Sequence, residues 1–227
     1  MKTLLETIEV KPPGEVKASV IWLHGLGADG HDFLPIVREL NLPDQAGIRF
    51  VFPHAPHIPV TINGGMRMRA WYDVYSVDFG ATQDEKGIRQ SEQQLMALIE
   101  NELALGVAAE SILLVGFSQG GAIVLHSGLR YPKKLASIIS LSSYLPLASQ
   151  LAEEAHITNQ NTPLLMMHGT QDPVIPIHLA EQSLSILQKL GYQVDWRHYD
   201  MPHSVHPQQI RELRDWMVRI LNVKAPD

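Results

Sequence analysis

Gly116-Phe117-Ser118-Gln119-Gly120 constrains this chain more than any other stretch. An apolar run, Ser111-Ile112-Leu113-Leu114-Val115, leads into it, and Gly121-Ala122-Ile123-Val124-Leu125 leads out. The first run reads as a buried parallel strand, the second as a helix with small leading residues. A Gly-x-Ser-x-Gly turn between strand and helix holds a serine hydroxyl in a sharp, exposed bend. A hydroxyl is a weak nucleophile at neutral pH, and such a bend sets it beside a base. Side chains two residues before and two after the serine would strike neighbouring elements, which accounts for glycine at 116 and 120. The bland alternative is a glycine-rich turn with a solvent-facing serine. The strand before and the helix after argue against it.

The rest of the chain alternates apolar segments with amphipathic ones, the pattern of a parallel sheet with helices on both faces. It predicts an edge strand over 4–10, broken by Lys11-Pro12-Pro13-Gly14, and strands over 18–23, 48–52, 136–141, 163–168 and 193–199. Helices are expected over 33–40, 83–105, 147–155, 177–190 and 205–221, and from the serine turn to Arg130. Leu95, Leu98, Ile99 and Leu103 share one face of the second, and Ile210, Leu213, Trp216, Met217 and Ile220 one face of the last. Residues 53–80 read as a long connection punctuated by proline and glycine, a kind of segment that often carries binding function. The segment between strands 136–141 and 163–168 is too short for a large lid. The expectation is one domain over 1–227 with the α/β-hydrolase fold, its mostly parallel central sheet flanked by helices.

Composition narrows the partners. The 227 residues are 45% hydrophobic, which suits one α/β domain with a large core. A net charge of −6 and the lack of a basic stripe argue against nucleic acid. With no cysteine, disulfides, thiol nucleophiles and thiolate metal sites are excluded. Glu6 and Glu9 interrupt any signal-peptide core at the start of the chain, and no apolar run approaches the roughly 18 residues of a membrane helix. A soluble, cytoplasmic protein is expected.

A serine nucleophile needs a base, and the base an acid that fixes its tautomer. In this fold the chain order is serine, acid, histidine. Asp172 follows the 163–168 strand in Gly169-Thr170-Gln171-Asp172-Pro173 and is the favoured acid. Its plain alternative is a turn or capping aspartate. Asp195 lies within a predicted strand, and Asp200 stands too close to the expected histidine. The base belongs in the loop Asp200-Met201-Pro202-His203-Ser204. His203 at its apex is favoured over His206, which adjoins Pro207 near the last helix, and over His198 in the strand. A tetrahedral oxyanion needs two aimed backbone N–H groups. Gln119, at the start of its helix, supplies one. Leu26, in His24-Gly25-Leu26-Gly27 after the 18–23 strand, supplies the other, with glycines that also suit a tight turn.

These motifs, with Pro56, Pro59-Val60-Thr61-Ile62-Asn63-Gly64-Gly65, Met68, Trp71-Tyr72-Asp73, His168-Gly169, Asp172-Pro173-Val174-Ile175-Pro176 and Met201-Pro202-His203-Ser204-Val205, span nearly the whole chain. The chain resembles the small bacterial carboxylesterases related to acyl-protein thioesterases and lysophospholipases, in the phospholipase/carboxylesterase group. The resemblance implies a triad of Ser118, Asp172 and His203, placing His203 ahead of His206, and oxyanion donors on Leu26 and Gln119. It also implies an acyl groove lined by the 60–75 loop with Met66 and Trp71, by Leu26, and by Leu145 and Val174. No metal or cofactor is expected, and a homodimer is left open. Relatives tend to carry proline between Met68 and Trp71. Arg69-Ala70 stands here, which predicts a looser loop or a reshaped groove. The implied activity is hydrolysis of short- to medium-chain acyl esters. Acyl-protein thioesterase or lysophospholipase activity shares the same carbonyl chemistry. A hydrolase-fold binding protein without catalysis is the alternative of a different class.

Overall fold

The computed structural model of the chain describes residues 4–76 and 82–223. The strands are β1 (Thr7–Val10), β2 (Ala18–Leu23), β3 (Ile48–Pro53), β4 (His57–Val60), β5 (Met66–Arg69), β6 (Ile112–Phe117), β7 (Ser137–Leu141), β8 (Leu164–Gly169) and β9 (Val194–Tyr199). The α-helices are α1 (Ile36–Leu40), α2 (Glu85–Ala104), α3 (Gln119–Arg130), α4 (Leu151–Glu154), α5 (Ile177–Lys189) and α6 (Pro207–Ile220). Seven strands form one sheet in the order β1-β3-β2-β6-β7-β8-β9. Only β1 runs antiparallel to its neighbour; every other pairing in that sheet is parallel.

Both faces of the sheet are covered, so the central strands read as unbroken apolar runs rather than alternating ones. Every residue of β2, β3, β7 and β8 is buried. Successive side chains still point to opposite faces. Ile21 and Leu23 join Leu95, Ile99, Ile123 and Leu187 beneath α2, α3 and α5. Val20 and Trp22 join Ile36, Leu40, Leu213 and Trp216 beneath α1 and α6. Asp84 caps α2 by accepting the Gly87 N–H at 3.0 Å, which sets its start close to the expected position.

Three local expectations change. The connection expected over 53–80 contains a hairpin, β4 and β5, separate from the main sheet. Its strands are four residues each and carry Pro59, so their alternation is too short to register in the sequence. Gly64 and Gly65, at φ 68° and 78°, turn the chain between them. Positions 77–80 of that expectation lie outside the described residues. The helix expected over 33–40 is shortened to α1, with hydrogen-bonded turns ahead of it. The helix expected over 147–155 is a 3₁₀ turn, Ala148–Gln150, followed by the single turn of α4. No large helical insertion stands between β7 and β8. Among the described residues, no helix is long and apolar enough to cross a membrane.

The turn between β6 and α3 is packed so closely that its glycines cannot change. A Cβ on Gly120 would lie 2.4 Å from Leu23 O and 2.6 Å from His24 O, at the buried end of a central strand. Gly120→Ala should lower the free energy of unfolding in urea by about 2–3 kcal/mol. Gly14→Ala, where a Cβ meets nothing within 4 Å, should leave it within about 0.5 kcal/mol. Equal effects at both positions would contradict this packing.

Candidate active site

Ser118 stands between β6 and α3 at φ 54° and ψ −120°, a conformation costly for any residue with a side chain. Neighbours on both sides hold it there. Its N–H donates to Leu141 O at 2.8 Å, and its carbonyl accepts from Ser143 Oγ at 2.6 Å and from Ala122 N–H at 3.1 Å. A Cβ on Gly116 would lie 2.3 Å from Gly120 O, so the two glycines let the strand and helix close the turn.

The loops that follow β8 and β9 deliver the other two side chains. Asp172 is pinned by the N–H groups of Val174 and Ile175, which donate to Oδ1 at 2.9 and 2.8 Å. Its Oδ2 faces His203 Nδ1 at 2.6 Å, and His203 Nε2 lies 3.0 Å from Ser118 Oγ. Burial on its own would push the Asp172 carboxyl up. Hydrogen bonds from His203 and from the Ile175 and Val174 N–H groups outweigh it, and the carboxyl titrates below its ordinary value. Asp172 is therefore an anion, Nδ1 carries the imidazole proton, and Nε2 is free to accept from the serine hydroxyl. The two loops touch at Gly169, where a Cβ would lie 2.3 Å from Met201 O. The Phe117 ring packs against the imidazole at 4.8 Å between centroids.

The rival residues are occupied elsewhere. Asp195 pairs with Arg197 at 2.8 and 3.0 Å, and Asp200 accepts from Gln171 Nε2 at 2.6 Å on the surface. His206 caps α6, its Nδ1 accepting the Gln208 N–H at 3.2 Å. His198 is exposed on β9.

The two candidate oxyanion donors lie on either side of Ser118. Neither the Leu26 N–H nor the Gln119 N–H donates to a protein acceptor among the described residues. A Cβ on Gly25 would lie 3.4 Å from Ser118 Cβ, so glycine there brings the loop against the serine. His24, fully buried, orients this loop. Its Nδ1–H donates to Gly25 O at 2.7 Å, and its Nε2 accepts the Ala55 N–H at 3.0 Å. A peptide unit is planar, so holding Gly25 O aims the Leu26 N–H the opposite way.

Of the five residues expected to line an acyl groove, Leu26 is half-buried and the other four divide in two. Met66 and Val174 are 64% and 48% exposed. Trp71 and Leu145 are 2% and 1% exposed, among the core residues beneath α2 and α3, so neither presents the open surface expected of a groove wall, although Trp71 edges a cavity with Pro59, Tyr75 and Ser91. Trp71 instead uses its polar groups inward, a role its conspicuous position in Trp71-Tyr72-Asp73 did not reveal. The looser loop expected at Arg69-Ala70 is not found either. Arg69 Nη1 donates to Ala55 O at 2.8 Å and Arg69 O accepts from Gly27 N–H at 2.9 Å. The Ala70 N–H donates to Pro56 O at 3.0 Å, a bond that proline there would lack.

Asp29, His31 and His54 bring ligand-type atoms within 4.8 Å of one another. Those atoms are already engaged. Asp29 Oδ1 accepts the His31 N–H at 2.8 Å and faces His31 Nδ1 at 2.9 Å. His54 Nδ1 accepts the Gly30 N–H at 3.1 Å, which keeps the ring proton on Nε2, where a metal would need a lone pair. The cluster braces a turn and makes a poor metal centre.

Comparison with known proteins shows the family. The phospholipase/carboxylesterase family model matches residues 6–220. The chain belongs to that family. Acyl-protein thioesterase 1 of Gibberella zeae is 37% identical over 216 residues, 91% of this chain and 92% of its own. Acyl-protein thioesterase 1 of Schizosaccharomyces pombe is 41% identical over 187 residues, 82% and 83% of the two chains. The crystal structure of Arabidopsis thaliana SOBER1 superimposes with a TM-score of 0.87 at 31% identity, covering 91% of this chain and all of that one, which establishes the α/β-hydrolase fold. These relatives are fungal and plant proteins, so the narrower resemblance to a bacterial group is not supported. The chain is a member of a hydrolase family.

The hydrogen bonds that hold the Leu26 loop depend on a neutral His24, whose burial lowers its pKa from 6.5 to about 4. The folded value lies below the unfolded one, so His24 contributes stability above pH 6.5 that is lost as pH falls towards 4. Between pH 7 and pH 5 this residue should account for about 2 kcal/mol of lost stability. His126 and His168, also lowered by burial, add in the same direction. Urea unfolding at both pH values should show a drop smaller by that amount in His24→Gln. An unchanged drop in the variant would contradict the assignment.

Proposed function

We propose that this member of the phospholipase/carboxylesterase family is a serine carboxylesterase, acting as a single domain in the cytoplasm on short- to medium-chain acyl esters. His203 Nε2 takes the Ser118 proton as Oγ attacks the acyl carbonyl carbon. The carbonyl electrons move onto oxygen, and the N–H groups of Leu26 and Gln119 hold that oxyanion. The intermediate collapses, the alkoxide leaves with the proton from His203, and an acyl-serine remains. Water, deprotonated by the same imidazole, attacks the acyl-serine and releases the acid. The negative Asp172 stabilises the imidazolium formed in each half-reaction. Protein side chains and water handle every proton and electron pair in the cycle.

The observation that carries this reading is the continuous contact from Asp172 Oδ2 through His203 to Ser118 Oγ, at 2.6 and 3.0 Å. The exposed Met66 and Val174 and the lack of a large insertion after β7 support short or medium acyl chains over emulsified fat.

A second reading, acyl-protein thioesterase, is favoured by the names of the fungal relatives, which match over most of both chains. A thiolate leaves more readily than an alkoxide, so the same machinery serves both. Lysophospholipase activity differs only in the alcohol released.

Ser118→Ala should lower turnover of p-nitrophenyl butyrate by about three orders of magnitude or more, with an unchanged unfolding midpoint. Near-native turnover in a folded Ser118→Ala protein would exclude the mechanism. A chain-length series of oxygen esters, set against an S-acyl peptide, decides between the readings. Higher kcat/KM on butyryl and hexanoyl esters supports the esterase. A tenfold preference for the thioester would give the second reading.

A further inference from the structure

We propose that Trp71 is a positioning residue that ties the two oxyanion donors to each other, so that the oxyanion site is rigid before an acyl group arrives. The proposal rests on the serine-hydrolase reading above, in which Leu26 and Gln119 supply those donors.

The two donors come from different parts of the fold. Leu26 follows β2 and Gln119 opens α3. The two elements pack directly, with Gly120 against the carbonyls of Leu23 and His24, and Trp71 adds a hydrogen-bonded link between the donor segments themselves. Trp71 lies in neither element; it follows the β4–β5 hairpin, and it reaches both. Its backbone N–H donates to Gln119 Oε1 at 2.8 Å, while Gln119 Nε2 donates to Tyr72 O at 2.7 Å. The Gln119 amide is thus held at both ends, which fixes the residue whose backbone N–H faces the site. The indole N–H of Trp71 donates to His24 O at 2.9 Å. That carbonyl belongs to the peptide immediately before the Gly25–Leu26 peptide, and the His24 ring holds the latter through Gly25 O.

The remaining polar group of Trp71 is also used, since Ser91 Oγ of α2 donates to its carbonyl. The indole packs on the His24 ring at 5.2 Å between centroids. Trp71 is only 2% exposed, and its polar groups face protein partners. Every polar group it has is spent on the supports of the oxyanion donors or on anchoring itself to α2. Donors aimed in advance need no reorganisation when charge develops on the carbonyl oxygen, so a slack brace should weaken binding of the transition state more than binding of substrate.

Trp71→Phe deletes the indole N–H and keeps an aromatic ring. Gln119→Met deletes the side-chain clamp and keeps the backbone donor. Each is measured with p-nitrophenyl butyrate, and with butylboronic acid as a tetrahedral mimic bound at Ser118. Each variant should lose about ten- to a hundredfold in kcat with KM changed by less than about threefold, and boronate affinity should fall by a similar factor to kcat. The double variant should lose less than the product of the two single losses, because both changes cut one brace. Either folded variant keeping kcat and boronate affinity within about twofold of wild type would overturn the proposal, as would a loss confined to KM. Should Trp71→Phe fail to fold, Gln119→Met carries the same test. Boronate inhibition of the wild type that survives Ser118→Ala would remove the serine reading itself, a failure distinct from that of the brace.

Discussion

One backbone angle, φ 54° at Ser118, is the constraint around which this site is organised. A residue with a side chain occupies that region only where its surroundings over-determine it. Here Leu141 O, Ser143 Oγ and the Ala122 N–H engage the Ser118 backbone, and Gly116 and Gly120 remove the side chains that would block the turn. The strain lifts the hydroxyl above the end of β6, where a base can reach it. It also leaves the Gln119 N–H at the unpaired start of α3, where the helix favours negative charge.

The parallel sheet makes the convergence possible. β2, β6 and β8 run in the same direction as β9, so the loops that leave them emerge at one edge. Leu26, Ser118, Asp172 and His203 are far apart in the chain and lie each just past the end of one of these strands. Glycines set how closely the loops approach. Gly169 lets the His203 loop cross the Asp172 loop, and Gly25 lets the Leu26 loop lie against the serine. The helices and the core hold the strand ends in place; the chemistry belongs to the loops, as in open α/β sheets generally.

Much of this arrangement was legible in the sequence because it depends on local signals. Long buried strands and amphipathic helices announce themselves, and position in the loops after the 163–168 and 193–199 strands, together with the family resemblance, put Asp172 and His203 ahead of their rivals. The hairpin was not legible, since strands of four residues interrupted by Pro59 leave too little periodicity. Side-chain direction was not legible either. Trp71 and Leu145 stand in the right segments to meet an acyl chain, yet both point into the core. An aromatic beside a site reads the same whether it faces ligand or supports backbone, and only the partners of its N–H groups separate the two. Arg69-Ala70 misled for a related reason. The loss of a proline suggested a looser loop, but the freed Ala70 N–H and the Arg69 guanidinium both found carbonyl partners.

The account holds that Ser118 carries the acyl group and that His203 activates it. The most direct measurement is intact mass and peptide mapping after rapid quenching with a slowly deacylating activated ester. It should find one acyl group per chain, on the peptide containing Ser118, formed at least about a hundredfold more slowly in His203→Ala. Acyl groups on another residue, or equal rates of acylation with and without the imidazole, would contradict it.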